Sequence, residues 1–105
     1  MITVLNLKDI DYKSLSCLYF YANWLPPNRE ITKMIEKFEE KNKSIIFYAI
    51  DCDSFPHLPK ALGINEIPGF VFFYKEKEIN KFTGVTLTKG FNTFCNNILK
   101  GINEK

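Results

Sequence analysis

The 105-residue chain carries few of the side chains that usually perform catalysis or hold metals. It has a single histidine, His57, whose neighbours supply neither a ligand nor a base partner. Its three cysteines, Cys17, Cys52 and Cys95, form an odd set with no C-x-x-C pair and no histidine at metal-ligand spacing. We therefore expect no disulfide framework, no metal site and no cofactor, with the thiols packed as small apolar side chains.

Charge of one sign and long apolar runs are also scarce. Fourteen basic residues are interspersed with twelve acidic ones, and this net charge of +2 predicts no nucleic-acid partner. Because no apolar run has the length of a signal peptide or a membrane span, we expect no membrane association and a cytoplasmic location. Apolar residues make up 46% and aromatics 15%, which is the balance of one globular domain over residues 1–105.

The spacing of the apolar residues predicts an α/β fold in the order β-α-β-α-β-α-β-β-α, with a mixed five-stranded sheet and about four helices. A helix-length link between two buried runs indicates a parallel crossover, and the last two runs form an antiparallel hairpin. Strands are predicted at Met1–Leu5, Ser16–Ala22, Ile45–Ile50, Phe70–Tyr74 and Glu78–Thr83. Helices are predicted at Leu7–Leu15, from Pro27 to Lys41, from a Ser54 cap to Gly63, and at Thr88–Ile102.

The segment Trp24-Leu25-Pro26-Pro27-Asn28-Arg29 ends the second strand and opens the second helix. Many folds place a nucleophile at such a turn, because the N–H groups of the helix stabilise negative charge there. The four central residues of this segment offer no thiol, no hydroxyl and no readily ionised group. The turn thus has the position of a catalytic site without a nucleophile.

The order of elements, this turn and the later Ile67-Pro68-Gly69 resemble the thioredoxin family over nearly the whole chain. The family's signature at the turn is Trp-Cys-Gly-Pro-Cys-Lys, and Trp24 and Pro27 match it while Arg29 replaces the lysine. The resemblance implies the thioredoxin fold, a cis-proline at Pro68, and a family role in cell redox homeostasis.

Four departures from the family pattern argue against that redox role here. Leu25 and Asn28 stand at the positions of the nucleophilic and resolving cysteines, so the resemblance implies no dithiol–disulfide exchange. The family's buried aspartate and its neighbouring lysine, which serve proton transfer, correspond to Tyr19 and Phe47. Two aromatics fill that space without the cost of burying charge. We therefore expect no catalytic residue at this turn.

The favoured hypothesis is a redox-inactive protein that binds a protein or extended peptide segment through the surface equivalent to the family's substrate groove. An exposed Trp24 gives apolar area, and Ile67 can offer its backbone N–H and C=O to an extended chain. The peptide-binding residues are predicted to be Trp24, Leu25, Pro26, Ile67, Pro68, Gly84 and Val85.

Two alternatives belong to other functional classes. One is a thiol-dependent oxidoreductase acting through Cys52 alone, although Asp51 and Asp53 would raise the pKa of this thiol and disfavour the thiolate. The other is a structural subunit of a larger complex, or a homodimer, because ten phenylalanines and five tyrosines can exceed what a small core hides.

Overall fold

The computed structural model describes residues 1–25, 28–84 and 88–103. Within these ranges the chain forms five strands, one short 3₁₀ helix and three α-helices. In chain order they are β1 (Ile2–Thr3), the 3₁₀ helix (Leu7–Asp9), β2 (Ser16–Tyr21), α1 (Asn28–Lys41), β3 (Ile46–Asp51), α2 (His57–Ala61), β4 (Gly69–Tyr74), β5 (Lys77–Thr83) and α3 (Thr88–Asn103).

The five strands form one mixed sheet in the order β1-β3-β2-β4-β5. Strands β1, β3 and β2 run parallel, whereas β4 is antiparallel to β2 and β5 is antiparallel to β4. The predicted fold class, the central position of β2 and the parallel crossover through α1 are confirmed. The helix count differs, because a 3₁₀ helix and three α-helices replace the four expected helices.

The side chains of β2 alternate between two apolar cores on the two faces of the sheet. Cys17 and Tyr19 belong to the core that α1 and α3 cover, and Leu18 and Phe20 belong to the core on the opposite face. Strands β3 and β4 alternate in the same way. Because both faces are covered, the central strands read as continuous apolar runs rather than as alternating ones.

Helix α1 buries one stripe of its surface against the sheet. The predicted stripe at i, i+3, i+4 and i+7 is confirmed, since the buried residues are Ile31, Met34, Ile35 and Phe38. The Phe38 ring meets the ring of Phe91 in α3 edge to face, with centroids 5.7 Å apart. Such pairs add to the stabilisation from burial, so this contact stabilises the packing of the two helices over the sheet.

Helix α3 closes the fold and agrees with its predicted range. Phe91, Cys95 and Ile98 are its buried residues, and they share one face at helical spacing. Among the residues that the structure describes, no helix has both the length and the apolar character that crossing a membrane requires.

The predicted helix over Leu7–Leu15 is wrong beyond its first turn. The structure has only a 3₁₀ turn at Leu7–Asp9, and Ile10 after it is extended with φ −82° and ψ 124°. The carboxylate of Asp11 accepts hydrogen bonds from the Lys13 N–H and the Ser14 hydroxyl, both at 2.9 Å. This local side-chain bonding offers the backbone an alternative to helix and fixes a loop.

Helix α2 begins later than predicted, and Ser54 is not its cap. The Ser54 N–H donates to the Asp51 carbonyl at 3.1 Å in a turn, and the helix begins after Pro56, which has no side-chain capping bond. Pro59 is tolerated because it lies in the first turn, where its missing N–H is not needed. Gly63 follows the helix with φ +74°, the left-handed geometry that was expected.

Strands β4 and β5 form the predicted hairpin through a two-residue turn. Lys75 and Glu76 both have positive φ, 52° and 68°, as a type I′ turn requires. Their N–H groups donate to the carbonyls of Lys13 and Tyr12 at 3.0 and 2.8 Å. The turn is therefore bonded to the loop before β2, at the end of the sheet opposite to the Trp24 turn.

The two edge strands, β1 and β5, differ in length, and one is short while the other pairs irregularly. Strand β1 has only two residues. Strand β5 is exposed along its length except for the half-buried Phe82, and its register with β4 shifts between Phe72 and Phe73.

Candidate functional site

The turn after β2 borders a small cleft between the end of β2, the start of α1 and the loop before β4. Its volume is about 10 Å³, room for one water at most. The residues lining it are Tyr19, Tyr21, Ala22, Leu25, Asn28, Ile31, Ile67 and Pro68. The cleft is too small for a small-molecule substrate and forms part of a surface instead.

Inside the cleft, a hydrogen bond joins two positions that the sequence had singled out separately. The hydroxyl of the buried Tyr19 donates to Oδ1 of the half-buried Asn28 at 2.7 Å. Burial raises the pKa of Tyr19 to about 12, so the phenol keeps its proton at neutral pH. Tyr19 and Asn28 stand at the family's positions of the buried aspartate and the resolving cysteine, and a hydrogen bond between neutral groups joins them. The sequence does not predict this bond.

Phe47 is fully buried in the same core but is not among the residues lining the cleft. Its ring packs against Phe38 and Phe91 at centroid distances of 6.0 and 6.1 Å. This side chain serves packing between the sheet and the two long helices.

Trp24 lies at the surface beside the cleft, with 67% of its area exposed. Its indole Nε1 donates to Oδ2 of Asp53 at 3.1 Å. The sequence places Asp53 only as a neighbour of Cys52, and this contact was not predicted from it. The signal was available, because Trp24 follows β2 and Asp53 follows β3, and the carboxyl ends of adjacent parallel strands meet at one edge.

The loop before β4 contributes Ile67 and Pro68, and the peptide bond between them is cis. The Pro68 carbonyl accepts a hydrogen bond from the Gly84 N–H at 2.8 Å, and Gly84 has φ +92°. Among the described residues, neither the N–H nor the C=O of Ile67 has a hydrogen-bond partner. Within the described part of the chain, no other group therefore occupies the hydrogen-bonding positions of these two backbone groups.

Most of the predicted peptide-binding surface is brought together at this end of the sheet. Leu25, Ile67 and Pro68 line the cleft, and the Pro68–Gly84 hydrogen bond ties the end of β5 to it. Trp24 adjoins it through the chain. Two further residues of the predicted surface, Pro26 and Val85, lie outside the described residues.

The three thiols are poorly suited to nucleophilic chemistry. Burial raises the pKa of the half-buried Cys52, and the carboxylates of Asp51 and Asp53 raise it further. Cys17 and Cys95 are fully buried, and burial raises the pKa of Cys95 to about 12. In the part of the chain that the structure describes, no three His, Cys, Asp or Glu side chains are grouped to hold a metal ion.

The family model for thioredoxin matches residues 6–97. Mitochondrial thioredoxin-2 of Schizosaccharomyces pombe is 31% identical over 65 residues, which cover 62% of this chain and 49% of the relative. Thioredoxin-2 of Saccharomyces cerevisiae is also 31% identical over 65 residues, 62% of each chain. The match therefore spans between about half and just under two thirds of the length of these curated relatives.

Solved structures give the same fold at lower identity. Thioredoxin from Trypanosoma brucei brucei superposes with a TM-score of 0.83 at 18% identity, covering 94% of this chain and 90% of that one. Mitochondrial thioredoxin 3 of Saccharomyces cerevisiae, in its oxidised form, gives 0.80 at 20% identity, covering 92% and 94%. Because the family model matches residues 6–97, most of this chain, and the structure has the mixed five-stranded sheet, the chain belongs to the thioredoxin family.

Proposed function

We propose that this protein binds a protein or extended peptide segment without dithiol–disulfide exchange. The binding surface consists of Trp24, Leu25, Ile67, Pro68 and Gly84. The observation that carries the proposal is the combination of an exposed indole with the backbone N–H and C=O of Ile67, which have no hydrogen-bond partner among the described residues.

Ile67 gives the surface a way to bind an extended chain. Its N–H and C=O can pair with the backbone of the incoming segment, as in strand addition, which is independent of that segment's sequence. Apolar contacts with Leu25 and Trp24 then supply selectivity and most of the affinity, because large aromatic side chains dominate binding energies. The hydrogen bond to Asp53 holds the indole in place and lowers the entropy lost on binding.

The chemistry of the cleft supports the absence of redox activity. Leu25 cannot attack a disulfide, and the amide of Asn28 cannot resolve one. The Tyr19 hydroxyl, with a pKa of about 12, is a hydrogen-bond donor rather than a base near neutral pH. The surface thus has an exposed indole and backbone groups that can bind a chain, but it has no cysteines at positions 25 and 28 to exchange disulfides with that chain.

Insulin reduction by dithiothreitol tests the redox part of the proposal. We expect insulin to precipitate no faster in the presence of this protein than in the presence of the same protein with its thiols blocked. The variant Leu25→Cys/Asn28→Cys should gain only weak activity, because proton transfer by a positioned base contributes about 10²–10⁴-fold and Tyr19 cannot supply it. Clear acceleration by the unmodified protein would show that the redox-inactive assignment is wrong.

A displayed library of extended peptides tests the binding part. We expect selected peptides to bind the protein, and Trp24→Ala to weaken them by roughly 30-fold or more, the loss of about 2 kcal/mol typical of a central aromatic. Because Trp24 is 67% exposed, this change should leave thermal stability nearly unaltered. Ile79→Ala is the matched control, since Ile79 is an exposed apolar residue on β5. Equal binding by the Trp24 variant would contradict the proposed surface.

A further inference from the structure

The surface around Trp24 and Ile67 is acidic, although the chain as a whole carries a net charge of +2. Three carboxylates belong to the segments at this end of the sheet: Asp51 is the last residue of β3, Asp53 follows it by two residues, and Glu66 immediately precedes Ile67. Arg29, in the first turn of α1, contributes one opposing charge. These named side chains therefore carry a net negative charge at this end of the sheet, whereas the whole chain carries a net positive one.

Asp51 and Asp53 are fixed in orientation without being neutralised. Oδ2 of Asp53 accepts from the Trp24 indole at 3.1 Å, and Oδ1 of Asp51 accepts from the Asp53 N–H at 2.8 Å. Both donors are neutral, and within the described ranges neither carboxylate belongs to a salt bridge. Among the described residues, the second oxygen of each carboxylate has no hydrogen-bond partner, and that of Asp53 lies beside the exposed indole.

Glu66 brings negative charge to the other side of the cis-proline loop. Its Oε1 lies 3.4 Å from the point that a Cβ would occupy on Gly84, whose N–H is bonded to Pro68. A chain paired with Ile67 would thus lie near Glu66, and the Trp24–Asp53 pair lies at the same end of the sheet.

Building on the proposed function, we infer that the partner of this surface is a basic extended segment, with lysine or arginine residues flanking an apolar centre. The apolar centre pairs with the backbone of Ile67. One flanking cation meets the free carboxylate oxygens and the exposed face of Trp24, where a cation–π contact adds to the ion pairing. The other flanking cation meets Glu66. Complementary charges of this kind select among partners and speed their association.

The indole itself provides the assay, because Trp24 is the only tryptophan in the chain. Three peptides with the same Thr-Val-Ile-Val-Thr centre, flanked by pairs of lysines, glutamines or glutamates, are titrated against the protein while its fluorescence is recorded. Calorimetry under the same conditions gives a second measure of binding. We expect the lysine peptide to bind about tenfold tighter than the glutamine peptide, and the glutamate peptide to bind most weakly. Added salt should reduce this difference.

Charge-only variants assign the effect to the named carboxylates. The triple variant Asp51→Asn/Asp53→Asn/Glu66→Gln keeps an acceptor oxygen at each position, including the one for the indole, and should make the lysine and glutamine peptides equal in affinity. Glu76→Gln is the matched control, since it removes one carboxylate at the opposite end of the sheet, and it should change nothing.

The outcomes separate this inference from the function on which it rests. Equal affinities for the three peptides, or a preference for the glutamate peptide, would overturn the basic partner while leaving peptide binding in place. An unchanged lysine preference in the triple variant would also overturn it. If none of the three peptides binds by fluorescence or calorimetry, both the inference and the proposed function fail.

Discussion

Removing the Tyr19–Asn28 hydrogen bond should cost about 1 kcal/mol of folding stability. The O···O distance of 2.7 Å is at the centre of the range for hydroxyl donors, and Tyr19 is buried. A buried neutral hydrogen bond contributes about 0.5–1.5 kcal/mol net. Because Asn28 is only half-buried, water can replace part of what its amide loses, which keeps the expected coupling near the middle of that range.

A double-mutant cycle isolates this contact. Tyr19→Phe, Asn28→Ala and the double variant are compared with the unmodified protein by urea unfolding followed by far-ultraviolet circular dichroism. The coupling free energy should be about 1 kcal/mol, and each single variant should lower the thermal midpoint by several degrees, since about 1 kcal/mol corresponds to about 4–8 °C in a domain of this size. The cycle removes any separate effect of Asn28 at the start of α1.

Tyr21 supplies the control pair for this cycle. It lines the same cleft and stacks on Tyr19 with ring centroids 5.6 Å apart, but its hydroxyl has no hydrogen-bond partner among the described residues. The cycle of Tyr21→Phe with Asn28→Ala should therefore give a coupling close to zero. A Tyr19–Asn28 coupling no larger than that of the control would refute the argument that a neutral hydrogen bond joins these two positions.

Two further predictions concern the hairpin turn and the thiols. Glu76→Gly should raise stability by about 0.5–1 kcal/mol, because left-handed geometry costs a side-chain-bearing residue about 1–2 kcal/mol and glycine's extra chain entropy offsets about half of that. The same exchange at Glu78, within β5, should lower stability, and chemical denaturation of both variants decides the point. With a chromogenic disulfide reagent, only Cys52 should react in the folded protein and all three thiols in denaturant. Because its pKa is raised, Cys52 should react more slowly than a free thiol at pH 8, and its reaction should become faster as the pH rises. Rapid reaction of two or three thiols in the folded state would contradict the burial of Cys17 and Cys95.

The sequence predicts the sheet well because periodicity records burial directly. The apolar run of β2 and the spacing of Ile31, Met34, Ile35 and Phe38 each require a covered face, and the structure provides it. Gly63 is placed correctly for a similar reason, since only a few residues tolerate left-handed geometry after a helix.

The errors fall where side chains bond to nearby backbone. Asp11 organises the loop that was expected to be helical. Asp51, whose carboxylate accepts from the Asp53 N–H, begins a turn that moves the start of α2 beyond Ser54. Such local bonds depend on the conformation that they help to create, so a pattern of apolar residues does not reveal them.

At the candidate site, the sequence identifies positions but not the contacts between them. Trp24, Ile67 and Pro68 are found because family resemblance preserves their spacing. The Tyr19–Asn28 hydrogen bond joins residues 9 positions apart, and only the folded arrangement of β2 and α1 reveals it. For the Trp24–Asp53 bond, 29 positions apart, the one signal in the sequence is that both residues follow neighbouring parallel strands.

The two ends of the strand order bear on how this protein behaves at high concentration. An open sheet invites another chain to continue its ladder at either side, which is a route to aggregation. Here one side ends in the two-residue β1, and the other in β5, whose ladder with β4 is interrupted by a register shift and whose exposed residues include Lys77, Glu78 and Lys81. Neither side offers a long, regular, uncharged template to which a further strand could be added, so the described sheet ends at five strands.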